Sequence, residues 1–307
     1  MKNITIIGSG SFGCALAHAF EKNNMVKIWT YTKEEYDSIN NNHECMQIPS
    51  IKLSIKTKCY LSYEESILDS NIIVLAVPSI FIRKTCKDIK KYINNQEIVL
   101  VSKGLENDKL LSDIIKEELD RDVNVLMGPS FAVELGNDVK TFVDFYGNKE
   151  IIKDLESDIL HINYSNDIVG LQIAGALKNI ITLMIGISDG LNYGINIKSY
   201  IFTEGFNEIV KIGTTLGANK DTFFGLSGIG DLYLTSTSDN SRNKRAGILL
   251  GKGKNLEEIH KEVGETIEGI NTLKDAKYIV DKYNLDCRLI NNLYEIVYNS
   301  KEAKYII

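Results

Sequence analysis

The strongest constraint on this chain lies at its start. The apolar run Asn3 to Ile7 passes directly into Gly8-Ser9-Gly10-Ser11-Phe12-Gly13 and then into the small residues Cys14, Ala15, Ala17 and Ala19. A strand, a G-x-G-x-x-G turn and a helix in immediate succession open a βαβ unit whose turn holds the pyrophosphate of a dinucleotide. Gly8 permits the turn, Gly10 lets a phosphate approach the backbone, and Gly13 lets helix and strand pack closely. The helix N-terminus, with Ser11 and Phe12 in its first turn, faces the anion. The plainer alternative is an ordinary glycine-rich βα turn.

The rest of the first half repeats the pattern. Val26 to Trp29, Ile72 to Val77, Ile98 to Val101, Val123 to Met127 and Phe142 to Phe145 are short, β-branched and bounded by Gly, Pro or Asn, with helical stretches such as Phe12 to Lys22 and Leu110 to Leu119 between them. This alternation predicts a parallel, doubly wound α/β sheet. From about Asp167 the periodicity turns helical: Ile168 to Ile187, Ile197 to Leu216, Leu256 to Val263 and Ile270 to Tyr283. The expected organisation is a dinucleotide-binding domain over residues 1–165 and an all-helical domain over 166–307.

Composition sets the outer limits. With 307 residues, 44% hydrophobic and 25% charged, the chain is long enough for two cores, and intrinsic disorder is excluded. No apolar run is expected to serve as a membrane span, because Lys178 and Asn179 interrupt Ile173 to Ile187. The N-terminus turns glycine-rich before a signal-peptide core could form, so the expected compartment is the cytoplasm. Five scattered cysteines without a C-x-x-C predict reduced thiols and no metal site. A formal charge of −6 argues against nucleic acid as a partner.

The second strand continues as Thr30-Tyr31-Thr32-Lys33, with no acid at its tip to take a ribose 2′-hydroxyl. Lys33 can meet a 2′-phosphate or simply lie in water, so NAD and NADP both stay open. Ligands in open α/β sheets sit beyond the carboxyl ends of the strands. Those ends carry Val77-Pro78-Ser79, Ser102-Lys103-Gly104 and Gly128-Pro129-Ser130-Phe131-Ala132. Lys103 is thereby either a solvated loop lysine or a cation at the cofactor edge.

Lys178 occupies an apolar helix, with Leu171, Ala174, Ile181, Thr182 and Ile185 as its helical neighbours. It either snorkels to an edge or is held in a pocket, where desolvation and neighbouring cations lower a lysine pKa toward acid/base use. Farther on, Gly225 to Asn243 brings three glycines ahead of Asp231. There Ser241-Arg242-Asn243 opens a helix as a hydroxyl, a guanidinium fork and an amide suited to a phosphate. A capped surface helix is the alternative.

Taken together, Gly8 to Gly13, Ser102-Lys103-Gly104, Gly128 to Ala132, Ala176-Leu177-Lys178-Asn179, Gly230-Asp231-Leu232 and Ser241-Arg242-Asn243 resemble, in order and spacing, the NAD(P)-dependent glycerol-3-phosphate dehydrogenase family of bacterial type. The resemblance covers almost the whole chain. It implies a Rossmann domain followed by a 6-phosphogluconate-dehydrogenase-like helical domain with the site between them. It also implies reduction of dihydroxyacetone phosphate to sn-glycerol 3-phosphate for phospholipid synthesis, with NADH or NADPH as hydride donor and no metal.

In the family, Lys178 transfers the proton, Lys103 contacts substrate and cofactor, and Gly128, Ser130, Asp231, Ser241, Arg242 and Asn243 belong to the substrate site. Arg242 also reaches the cofactor, Ala132 lies against it, and Glu268 in Thr266-Ile267-Glu268-Gly269 matches a cofactor-binding glutamate. The resemblance further implies a homodimer. Tyr31 stands where relatives usually carry arginine, His43 to Pro49 is shorter and lacks the usual tyrosine, and relatives usually continue beyond Tyr294 to Ala303 with a further short helical stretch. The competing expectations are a β-hydroxyacid or ketopantoate type reductase and a non-catalytic nucleotide-sensing protein of the same architecture.

Overall fold

The computed structural model describes residues 1–238, 241–263 and 267–307. Asp239, Asn240 and Thr266 of the motifs above lie outside the described residues. The chain divides into two compact units, one of residues 1–103 and 111–166, the other of residues 104–110 and 167–307.

The first unit is built on one sheet. Its strands are β1 (Asn3–Ile7), β2 (Met25–Trp29), β3 (Lys58–Tyr60), β4 (Ile72–Leu75) and β5 (Glu97–Leu100). A two-stranded hairpin, β6 (Leu105–Glu106) and β7 (Lys109–Leu110), intervenes and belongs to the second unit. The sheet then continues with β8 (Asn124–Met127), β9 (Thr141–Tyr146) and β10 (Leu160–Tyr164), in the order β10-β9-β8-β5-β4-β1-β2-β3. The order doubles back from β1, as a doubly wound sheet requires. Strands β4 and β8 are buried along their full length; β4 accordingly reads as an unbroken apolar run, and β8 as one interrupted only by Asn124, whose amide donates to Ile98 O.

One part of the expected parallel sheet differs. Strand β9 pairs antiparallel with β8 and parallel with β10, so the last two strands run against the rest. The connection from β8 carries only the four-residue helix Ala132–Leu135. That is too short for a covering crossover, and an antiparallel return needs none. Strands β3 and β10 went unread because one has three residues and the other ends in two exposed polar positions.

The second unit is helical apart from the hairpin. Its axis is the helix Ile168–Gly190, begun by Asp167, whose carboxylate accepts from Gly170 N at 2.8 Å. This helix is long and apolar enough to cross a membrane, contrary to the expectation that Lys178 and Asn179 break the run, and 89% of its apolar window is buried inside the protein. A helix apolar on all sides can be the centre of a bundle, and this one is wrapped by Ile195–Thr215, Asp231–Thr237, Arg242–Gly251 and Glu268–Lys282.

Its closest neighbour is Arg242–Gly251, and small residues make the approach possible. A Cβ added at Gly186 would meet Lys244 O at 2.2 Å, and one at Gly247 would meet Leu183 O at 2.1 Å. The two backbones touch with no side chain between them.

The hairpin joins this unit through its two leucines. Leu105 and Leu110 are buried in the helical core, while Asn107 N donates to Asp275 Oδ1 at 2.8 Å and Lys282 pairs with Asp108. Burial raises the Asp275 carboxyl to about 6, against the opposing pull of the Asn107 N–H.

Gly247→Ala should lower unfolding stability by about 1–3 kcal/mol, because backbone cannot yield to the added methyl. Gly194→Ala, where nothing lies within 4 Å of the added carbon, meets no clash and should cost only the roughly 0.5–1 kcal/mol by which alanine is the poorer N-cap of helix Ile195–Thr215, read by urea denaturation. For Asp275 the folded pKa exceeds the unfolded one, so its contribution is fully present below about pH 4 and is lost as pH rises through about 6. Asp275→Asn should therefore gain on the native chain between pH 4.5 and 7.5. The gain is on the order of 1 kcal/mol after discounting for partial exposure, and equal pH profiles of the two midpoints would contradict it.

Candidate functional site

In the first unit, β1 delivers the chain to the glycine turn. Gly8 has φ +122°, and a Cβ there would meet Ala76 O of the β4 tip at 2.7 Å. At Gly13 a Cβ would fall 2.0 Å from Gly8 O, so helix Ser11–Phe20 starts pressed against its own strand. Gly10 differs from both: it caps that helix without a side-chain hydrogen bond, and nothing lies within 4 Å of the place its Cβ would take. The first hydrogen bond inside the helix is from Cys14 N to Gly10 O at 3.0 Å. The preceding amides of Ser11, Phe12 and Gly13 thus point out of the helix start, where an anion is stabilised. Open space over Gly10 and three amides aimed across it fit a dinucleotide pyrophosphate.

The other strand tips of this unit converge on one carbonyl. Lys103 Nζ donates to Gly128 O at 3.4 Å, and Ser130 Oγ donates to the same oxygen at 3.1 Å. Ser102 Oγ donates to Val77 O at 2.5 Å, which fastens the β5 tip to the chain leaving β4. Lys103, Gly128 and Ser130 are therefore gathered as a cation, a backbone turn and a hydroxyl at the carboxyl edge of the sheet. Ala132 opens the short helix beyond them and, like Phe12, packs half-buried against the core of this unit.

The second unit holds Lys178 deep in its bundle. The residue is 7% exposed, and its ammonium is hydrogen-bonded to the carboxylate of Asp231, which is fully buried. A second bond runs to Thr235 Oγ1 at 2.7 Å. Asp231 begins helix Asp231–Thr237, so Thr235 lies one turn later on the same face. That interval was visible in the sequence, and Thr235 is the neighbour that sequence reading missed. Burying an ammonium is tolerable because the carboxylate balances its charge and the hydroxyl supplies a further polar contact.

Around this pair the remaining candidates knit three helices together. Ser241 caps helix Arg242–Gly251 by accepting from Lys244 N at 3.3 Å. Asn243 Oδ1 accepts from Gly269 N at 2.8 Å, at the start of helix Glu268–Lys282. Asn179, next to Lys178, donates through Nδ2 to Glu268 Oε2 at 3.0 Å. Arg242 is exposed. Lys178, Asp231, Ser241, Asn243 and Glu268 thus belong to one continuous set of helix starts and buried polar contacts. Among the described residues no group of three or more His, Cys, Asp or Glu is placed to hold a metal.

The family models and the curated relatives point to one family. The family model for the N-terminus of NAD-dependent glycerol-3-phosphate dehydrogenase matches residues 3–149, and that for its C-terminus matches residues 167–307. The chain is 42% identical to glycerol-3-phosphate dehydrogenase [NAD(P)+] of Fusobacterium nucleatum, over 99% of this chain and 94% of that one. It is 38% identical to the Clostridium tetani protein of the same name, over 100% of this chain and 91% of the relative. The crystal structure of glycerol-3-phosphate dehydrogenase from Coxiella burnetii superposes with a TM-score of 0.95 at 28% identity, covering 99% and 97% of the two chains. The chain belongs to the NAD-dependent glycerol-3-phosphate dehydrogenase family.

Proposed function

We propose that this chain interconverts dihydroxyacetone phosphate and sn-glycerol 3-phosphate with NAD(H) or NADP(H), and that Lys178 moves the proton. The observation that carries the reading is the buried ammonium of Lys178, in a largely apolar helix, paired with the fully buried carboxylate of Asp231 from another helix. When bound, the reduced nicotinamide supplies a hydride to the ketone carbon. Negative charge then develops on the ketone oxygen, which requires a proton donor and nearby positive charge.

In this reading Lys178 and Lys103 together supply both, Lys178 the proton and Lys103 the further positive charge. Asp231 and Thr235 orient the Lys178 Nζ, and the Asp231 carboxylate keeps that ion pair neutral in its buried surroundings. Lys103, Gly128 and Ser130 contact the substrate in this reading, and Lys103 also contacts the dinucleotide. Ser241, Arg242 and Asn243 take the phosphate of the substrate at a helix start, and Arg242 extends to the dinucleotide. Because the Asn243 carbonyl already serves Gly269 N, its amide nitrogen is the group it offers an anion. Holding the remote phosphate positions the ketone and turns binding energy into orientation. Gly8, Gly10, Ser11, Phe12 and Gly13 cradle the pyrophosphate, with Ala132 and Glu268 as further dinucleotide contacts.

A β-hydroxyacid or ketopantoate reductase handles carboxylates and has no use for the Ser241-Arg242-Asn243 cradle. A nucleotide sensor has no use for the buried Lys178 and Asp231. Oxidation of NADH and NADPH should be rapid with dihydroxyacetone phosphate and absent with ketopantoate; failure with the phosphate ester overturns the reading. The proposed assembly is a homodimer in the cytoplasm that supplies glycerol 3-phosphate to phospholipid synthesis, and a light-scattering mass of one chain would remove the dimer.

Substituting Lys178→Met should cut kcat by about 10²–10⁴-fold while NADH affinity changes little. It should also remove the ammonium that balances the buried Asp231 carboxylate, at a cost of about 3–5 kcal/mol in unfolding stability. The double substitution Lys178→Met, Asp231→Leu should recover most of that stability and remain inactive. Recovery of turnover in the double variant would remove Lys178 from the proton step.

A further inference from the structure

Beyond the second strand the chain carries an acid that touches the glycine turn. Helix Lys33–Asp37 follows β2 and is capped by Thr32, whose hydroxyl accepts from Glu35 N at 3.3 Å. In a Thr-x-x-Glu start, the glutamate ordinarily reaches back to the backbone N–H of the cap. Glu35 turns the other way. Its Oε2 accepts from Ser9 Oγ at 2.7 Å, Thr30 Oγ1 at 2.5 Å and Thr32 Oγ1 at 3.0 Å, and its Oε1 accepts from the Gln47 amide. Ser9 is the second residue of the Gly8–Gly13 turn and is 4% exposed.

Glu35 is therefore fastened to the turn itself. It stands about 20 residues beyond Gly13, the interval at which dinucleotide-binding folds place the acid that selects an unphosphorylated ribose. The strand tip lacks an acid, and the helix that follows provides one.

Charge around it points the same way. Burial works to raise the Glu35 carboxyl, but the hydrogen bonds from Thr30, Ser9, Thr32 and Gln47 outweigh it and hold the group below its ordinary value. None of those four donors is a cation. Residues 30–47 contain Glu34, Glu35, Asp37 and Glu44 against a single lysine, Lys33, while Lys52 from beyond the segment is taken up by Glu44. Lys33 Nζ lies 2.8 Å from Asp37 Oδ1 and over the Tyr36 ring. A 2′-phosphate is held in such folds by guanidinium or ammonium groups close to the ribose. Here it would meet a fixed carboxylate instead.

We propose that Glu35, held against the glycine turn by Ser9, Thr30 and Thr32, discriminates against the 2′-phosphate and makes NADH rather than NADPH the hydride donor of this chain. The inference rests on the dinucleotide reading of the first unit, and titration calorimetry separates the two. The native chain should bind NADH at least about tenfold more tightly than NADPH. Glu35→Gln, which keeps the shape and an acceptor but removes the charge, should narrow that ratio chiefly by tightening NADPH.

A glutamate that only caps its helix would leave the ratio unmoved, and that result, or equal affinities in the native chain, overturns the proposal. Should the variant not fold, competition by ADP-ribose against its 2′-phosphorylated form on the native chain decides: equal competition overturns the proposal, and a tenfold preference for the plain form supports it. If neither NADH nor NADPH binds, the dinucleotide reading falls with it.

Discussion

The pairing of Lys178 with Asp231 governs the design of the helical unit. An ammonium in the middle of a buried apolar helix is unfavourable unless a carboxylate meets it in the same dry space, and Asp231 does so from a separate helix. That requirement fixes where helix Asp231–Thr237 begins and why Thr235, one turn on, is also turned inward. The neighbouring polar contacts, Asn179 with Glu268 and Asn243 with Gly269 N, hold three helix ends at fixed spacing beside it. The bundle is thus organised around a buried ion pair as well as around apolar burial.

Close backbone approach is the second constraint, and the two units use it differently. In the first, Gly8 and Gly13 bring strand, turn and helix together so that three amides face one direction. In the second, Gly186 and Gly247 let two helices meet without intervening side chains. The same absence of a Cβ frees the amides of a helix start in one case and lets two helix backbones touch in the other.

Much of this was legible in the sequence because it rests on local patterns. The glycine turn, the buried runs of β4 and β8, and the lysine displaced from any charged stripe all announce themselves within a dozen residues. The reversal of β9 and β10 was not legible, since strand direction depends on what a connection can span rather than on the strand itself. Thr235 could have been found from its one-turn spacing to Asp231. The role of Glu35 could not: from sequence it is one of two acids in a helix start, and only the fold shows that it faces Ser9. Likewise, Lys178 and Asn179 read as interruptions of an apolar run, whereas partners from other helices let them stay inside it.

The hairpin bears on how this chain can be divided. The polypeptide passes from one unit to the other at 103/104, 110/111 and 166/167, so three covalent crossings join the units in place of a single linker. A fragment ending at residue 166 would carry β6 and β7 without the helices in which Leu105 and Leu110 are buried, leaving two leucines in water. The helical fragment alone would lose two side chains from its core and the partner of Asp275. A recombination point at 166/167 would therefore separate the hairpin from the helices that bury it and damage both products.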